Sequence, residues 1–176
     1  FPSVPIGFWG DTDGSRLRAT YFERYANVWW HGDLATVTER GGLVVHGRSD
    51  AVLNPGGVRI GTAEIYRAIE PLPQITDAVV VGRPVSADVE IVLCVVLAPD
   101  VELDDELTAR IKDAIRSSTS PRHVPRRIFA VSEIPYTISG KKVEQAVRSM
   151  MVGDPVANRD ALANPDALDQ YAHLPF

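Results

Sequence analysis

The 176-residue chain predicts an α+β fold: a small mixed sheet flanked by helices, preceded by a β-hairpin. Three observations carry this. Ile75 to Val81 and Glu90 to Leu97 are nearly continuous apolar runs, as expected of strands covered on at least one side. From Asp104 to about Ser118, residues Leu107, Ile111, Ala114 and Ile115 form a single helical stripe, with Arg110, Lys112, Asp113 and Arg116 lying off it. Residues 50–152 order their elements as β-α-β-β-α-β-α, for which a sheet with helices packed on it is the economical arrangement.

In chain order, residues 1–30 are irregular and rich in aromatic side chains, with Pro2, Pro5, Gly7, Gly10 and Gly14 breaking any long element. Phe1, Phe8, Trp9, Tyr21, Phe22, Tyr25, Trp29 and Trp30 read either as a surface meant for a larger body or as a local aromatic cluster. Residues 34–38 and 42–46 are two short strands joined by Glu39-Arg40-Gly41-Gly42, a hairpin signal. A hairpin brings its open ends together, so Asp33 and Arg48 are expected near one another.

The stretch Gly47-Arg48-Ser49-Asp50, with Asn54 to Gly61 after it, is the organising joint. It divides the chain into residues 1–49, the end of a larger domain, residues 50–152, a second smaller domain, and the tail 153–176. It is expected to act as a hinge, with Arg48 and Arg59 facing a phosphorylated ligand. Thr62 reads as an N-cap, with Glu64 in the first turn and Pro71 ending the helix. Gly82 to Asp88 reads as a loose hairpin link, Arg127 to Val131 as a strand and Val143 to about Met151 as a final helix. Beyond Gly153 the tail is polar and punctuated by proline, with short turns or capped helical turns around Asn158 and Asn164.

Hydrophobic residues make up 45% of the chain and charged ones 23%, which implies a packed core. The net charge of -5 argues against a nucleic-acid binder relying on bulk positive charge. The one cysteine, Cys94, sits in an apolar run and reads as a buried core residue. Without a second cysteine there is no intrachain disulfide, which fits a reducing compartment, and a cytoplasmic location is expected. No apolar run is long enough to span a bilayer, and the first residues lack the signal-peptide pattern. The chain opens on Phe1 rather than Met, so it is expected to be a piece of something longer.

Several residues have the chemistry of a phosphate or nucleotide site. Asp33 offers a carboxylate that can accept both hydroxyls of a ribose diol; alone, it also reads as a turn cap. Arg48 offers a planar fork for a diol or a phosphate, or equally a surface pair with Asp33 or Asp50. Arg59 follows Pro55-Gly56-Gly57, where backbone can approach a ligand closely, or else is an exposed turn residue. Arg116, Arg122, His123, Arg126 and Arg127 form a basic cluster suited to the nucleotide portion of a coenzyme; Arg116 reads equally as favourable charge at a helix C-terminus. Ser139-Gly140-Lys141 lacks the preceding glycine and buried strand of a P-loop, so it reads as a loop presenting one lysine. A lysine about 4 Å from a reacting phosphate, at an effective dielectric near 20, contributes of order 4 kcal/mol. Expressed only in the transition state, that is roughly three decades of rate. The sequence shows no Ser/His/Asp triad and no metal-ligand spacing among His31, His46, His123 and His173.

Taken in order, Gly32-Asp33, Gly47-Arg48-Ser49-Asp50, Gly57-Val58-Arg59-Ile60-Gly61, Glu64-Ile65 and Pro135-Tyr136-Thr137-Ile138-Ser139-Gly140-Lys141 resemble the adenylate-forming acyl-CoA synthetase superfamily. Gly7 to Asp11, His31-Gly32-Asp33 and Asn158 to Pro165 are similar to the subfamily that acts on acetoacetate. The resemblance covers essentially the whole chain. It implies that residues 50–152 are a mobile C-terminal lid, following the last strands of a large adenylation domain that lies upstream. That upstream domain would be the chain's own partner, supplying the phosphate loop and the acid pocket.

The resemblance also implies the substrates: ATP with Mg²⁺, acetoacetate and coenzyme A, none tightly bound to this piece alone. By motif, Asp33 and Arg48 would hold the ribose of ATP, Asp50 would be the hinge, and Arg59 would approach the nucleotide phosphate. Gly57 would line the pantetheine tunnel, Arg116 would contact the CoA nucleotide, and Lys141 would be the catalytic lysine of adenylation. Lysines at that position are acetylated in some relatives, which implies an acetyltransferase and a deacetylase acting at Lys141. The pattern departs from the family at Glu144, where an arginine is usual, and in the link between the core strands, which lacks the usual Gly-Glu. Alternatives to an acetoacetate ligase are a ligase for acetate or propionate and a stand-alone, non-catalytic CoA-binding module; a nucleic-acid binder using Arg116 to Arg127 is a weaker third.

Overall fold

Residues 4–49, 51–86, 88–156 and 158–176 are described by the structure, a computed structural model in which the chain divides into two units, Phe1–Asp33 and Leu34–Phe176. In the first unit the sequence predicts irregular backbone, but one short helix forms, α1 (Ser15–Tyr21). Local hydrogen bonding explains it. Asp11 Oδ1 accepts from Arg16 N at 3.0 Å, Asp11 Oδ2 from Leu17 N at 2.9 Å and Asp13 Oδ1 from Ser15 N at 3.0 Å. Two carboxylates thus meet amide donors that a helix start leaves unpaired. Phe8, Tyr21, Trp29 and His31 pack in a row of tilted and edge-on ring contacts, so part of the aromatic set forms a local cluster. Ile6, Trp9 and Tyr25 remain exposed.

The predicted hairpin forms from β1 (Asp33–Val37) and β2 (Leu43–Arg48), a two-stranded sheet. Thr38 closes its turn, donating from N to Gly42 O at 2.8 Å while its Oγ1 accepts from Gly42 N at 2.9 Å. Val37, Leu43, Val44 and Val45 are exposed. Beyond it, Leu53 and Ile60 exchange two backbone hydrogen bonds at 2.9 Å, cinching residues 54–59 into a loop with Gly57 and Arg59 on its exposed outside. α2 (Thr62–Ile69) follows, with Gly61 as its N-cap. The expected cap, Thr62, is instead the first helical residue, and it is buried.

β3 (Ile75–Val85) and β4 (Asp88–Leu97) pair antiparallel, and both run further than the apolar runs suggest, absorbing the expected loose link. α3 (Asp105–Ser118) crosses back to β5 (Arg127–Ala130), which pairs parallel to β4 and makes the sheet mixed. Asp104 caps α3, accepting from Leu107 N at 2.7 Å. α4 (Glu144–Val152) ends on Gly153, whose φ of 76° is the left-handed stop that glycine adopts without a Cβ clash.

Successive strand residues face opposite sides of a sheet, so two cores form. Ala78, Val80, Ile91, Leu93 and Val95 pack with Ile65 and Ile69 of α2 and with Leu107, Ile111 and Ile115 of α3. Val79, Val81, Val92 and Cys94 pack with Ile134, Val147 and Met151 and with Leu168 and Tyr171 of the tail. Each fully buried large aliphatic contributes roughly 1.5–3 kcal/mol. The runs are continuous because both faces are covered. The tail, expected as short turns or capped helical turns, contributes a 3₁₀ segment (Pro165–His173) that seals the second face.

Candidate functional site

The Lys141 loop is a tight turn on a short antiparallel closure, Tyr136 opposite Lys142. Thr137 organises it. Its N donates to Lys141 O at 2.8 Å, its carbonyl accepts from Gly140 N at 2.8 Å, and its Oγ1 accepts from Lys141 N at 3.0 Å. Gly140 sits at φ 77°, where a side chain would be strained. Lys141 is exposed at this tip, and among the described residues its ammonium has no hydrogen-bond or ion-pair partner. Ile138 beside it is 75% exposed.

Adjacent Lys142 turns the other way. Its Nζ donates to Asp77 Oδ1 and to Ala78 O, each at 2.7 Å, and lies 4.8 Å from the centre of the Tyr66 ring. Tyr66 Oη donates to Glu144 Oε1 at 2.6 Å and accepts from Val80 N at 3.0 Å. Burial, reinforced by the Glu144 carboxylate, pushes the Tyr66 phenol well up. Tyr136 Oη donates to Asp77 Oδ2 at 2.7 Å, and burial followed by that bond pushes its phenol up to about 12. The sequence reading missed this network. Its one visible signal is Asp77, a carboxylate at the start of an otherwise apolar strand.

Arg48, at the exposed end of β2, shares a cavity of about 510 Å³ with Ala51, Thr137, Lys142, Glu144 and Val156. It therefore sits on the same side as the base of the lysine turn. Asp33 pairs with His31 Nδ1 through Oδ2. Asp50 lies outside the described residues; its neighbour Ala51 donates from N to Arg48 O at 3.2 Å. Gly57 has φ 80° and open space where a Cβ would lie. Gly56 N donates to Asp88 Oδ1 at 2.8 Å; that bond, with one from Val89 N, holds the Asp88 carboxyl below its usual range.

The basic cluster divides. Arg122, Arg126 and Arg127 line a cavity of about 570 Å³ together with Pro55, Asp88 and Arg83, the last unforeseen from sequence. Beneath them lies Glu90, its side chain 3% exposed, accepting from Arg83 Nη1 at 2.6 Å, with Arg127 Nε at 3.5 Å and Arg126 Nε at 3.6 Å. One buried carboxylate thus organises three guanidinium groups and leaves the cavity cationic. Arg116 lies elsewhere, paired with Asp113 on α3. His123 also departs, pairing with Glu64 Oε2 at 3.0 Å and Ser120 Oγ at 2.8 Å. No group of three or more potential metal ligands occurs among the described residues, and no described helix is long and apolar enough to cross a membrane.

The described residues form a small α+β body with an exposed glycine-loop lysine and a cationic cavity. Residues 64–141 match the AMP-binding enzyme C-terminal domain. More particularly, the chain is 57% identical over 174 residues to the acetoacetyl-coenzyme A synthetase of Rhizobium meliloti, covering 99% of this chain and 27% of that protein. Against the Caenorhabditis elegans acetoacetyl-CoA synthetase the identity is 48%, covering 97% and 25%. The solved acetoacetyl-CoA synthetase of Streptomyces lividans superposes with a TM-score of 0.87 at 45% identity, covering 97% of this chain and 26% of that one. The ATP-bound MatB of Rhodopseudomonas palustris, at 19% identity and TM-score 0.65, shares the fold. The chain spans about a quarter of the length of the relatives it matches.

Proposed function

We propose that this chain is the lid-bearing part of an ATP-dependent acid–thiol ligase that forms acetoacetyl-CoA in two steps. In the first, an oxygen of the acetoacetate carboxylate attacks the α-phosphorus of ATP and pyrophosphate leaves. In the second, the CoA thiol loses its proton and attacks the acyl carbon, and AMP leaves. The observation that carries the reading is the exposed Lys141 ammonium at the tip of a braced turn, in a chain similar throughout to acetoacetyl-CoA synthetases.

Lys141 would meet the negative charge that grows on the α-phosphate and acyl carboxylate during adenylation. Asp33 and Arg48 would hold the ribose, Arg59 would approach the phosphate, and Asp50 would be the pivot between two lid poses. Gly57 would let pantetheine pass close to the backbone. Arg116 would contact the CoA nucleotide, and the cationic cavity of Arg122, Arg126 and Arg127 offers a second phosphate surface in the same domain. Mg²⁺ would enter with the ATP phosphates and offset the pyrophosphate charge. The exposed valines and Leu43 of the hairpin suit packing against an upstream adenylation domain. A cytoplasmic location fits CoA chemistry, and acetylation of Lys141 would remove the charge it delivers.

The test is pyrophosphate exchange and thioester formation by the full-length enzyme with acetoacetate, acetate or propionate. Acetoacetate should be preferred. Preference for acetate or propionate would reassign the acid. Turnover by the 176-residue chain alone would overturn the division of labour. A parent without a phosphate loop, in a protein that binds CoA but not ATP, would make the chain a binding module.

A further inference from the structure

One carboxylate ties down both arms of the lysine turn. Asp77 Oδ2 accepts from Tyr136 Oη and Asp77 Oδ1 from Lys142 Nζ, each at 2.7 Å. Tyr136 and Lys142 are the two residues that face each other where the turn closes. Directly opposed residues of an antiparallel pair point to the same face, and their chain neighbours point to the other. Holding Tyr136 and Lys142 on the Asp77 side therefore holds Lys141 on the opposite, solvent side.

Asp77 is well placed to do this. It lies at the irregularity in β3 where the register shifts between Ile75 and Asp77, the kind of feature that re-aims a side chain. Its own carboxylate is braced by Ala78 N, which donates to Oδ1 at 2.8 Å. Two consecutive lysines at a turn pose a particular hazard, because a slip of one residue would exchange them. Lys142 would then be presented and Lys141 buried against Tyr66. The ion pair with Asp77, the bond to Ala78 O and the Tyr66 ring all favour one register.

We propose that Asp77, acting through Tyr136 and Lys142, is the positioning residue that selects Lys141 over Lys142 for delivery. This rests on the reading of Lys141 as the adenylation lysine. Misplacing a reacting group by about 1 Å can cost roughly 100-fold, so Asp77→Asn in the full-length enzyme should lower the adenylation kcat about 10- to 100-fold. KM for ATP and acid, and thioester formation from supplied acyl-adenylate and CoA, should stay within about twofold. Tyr136→Phe, which removes one hydroxyl, should cause a smaller loss in the same half-reaction and carries the test should Asp77→Asn fail to fold. In a Lys141→Ala background, Asp77→Asn should cost nothing more, because the two act as one unit. Parallel loss of both half-reactions would make Asp77 merely structural and overturn the proposal. So would unchanged adenylation in Asp77→Asn alongside its loss in Lys141→Ala. Full adenylation by Lys141→Ala would instead remove the reading beneath it.

Discussion

The Tyr66 hydroxyl donates to Glu144 Oε1 at 2.6 Å, joining α2 to the first residue of α4. The resemblance read from the sequence leads to an arginine at position 144, where this chain has glutamate. The structure gives the glutamate a folding role: it fixes the helix that follows the lysine turn. Tyr66→Phe should therefore destabilise the domain by about 1–3 kcal/mol, since Val80 N loses its acceptor inside the protein. Urea denaturation of wild type and variant would check this.

Lys141 and Lys142 should differ in their effect on stability when substituted. Lys141→Ala should lose roughly three decades of adenylation rate, keep thioester formation from supplied adenylate, and leave the thermal midpoint unchanged. Lys142→Met should do the reverse for stability, costing about 1–3 kcal/mol by leaving Asp77 without its cation. Half-reaction assays paired with thermal melts distinguish the two.

Asp50→Pro in the full-length enzyme should favour one half-reaction over the other. Proline fixes φ, so a pivot there can serve only one lid pose. Equal, full activity in both half-reactions would remove Asp50 from the hinge.

Glu90→Gln should weaken the fold by about 2–4 kcal/mol, because it removes the buried charge that gathers Arg83, Arg126 and Arg127. It should also disorder the cationic cavity. Chemical denaturation measures the first effect and CoA titration of the full-length enzyme the second.

Stability should decline in alkali. Burial pushes the Cys94 thiol from 9.0 up to about 12, and burial with the Asp77 bond pushes Tyr136 from 10.0 up to about 12. Both groups stay protonated in the folded state where the unfolded chain has already released protons. Their contribution is complete below about 9 and is lost as pH rises towards about 12. Cys94→Ala should flatten a plot of thermal midpoint against pH over that window.

The sheet and its flanking helices were legible because their signals are local: apolar runs, a helical stripe and Pro71 as a stop. α1 was not, because its start depends on Asp11 and Asp13 folding back onto amides within a glycine-rich stretch. The reach of β3 and β4 was hidden because Arg83, Pro84 and Glu90 continue the ladder with polar side chains and a proline. Lys141 was legible as a motif residue. Asp77, Tyr66 and Tyr136 were not, since their partners lie 59 to 78 residues away. Arg122, Arg126 and Arg127 were grouped correctly by proximity in sequence, whereas Arg116 and His123 were drawn off by Asp113 and Glu64.

The segment Pro165–His173 covers the face carrying Val79, Val81, Val92 and Cys94, and it follows every strand it covers. A ribosome therefore delivers the sheet with one side bare and adds its cover afterwards. Until Leu168 and Tyr171 emerge from the exit tunnel, the nascent domain is sticky. Its final collapse waits on that segment, and chaperones would find their substrate in that interval.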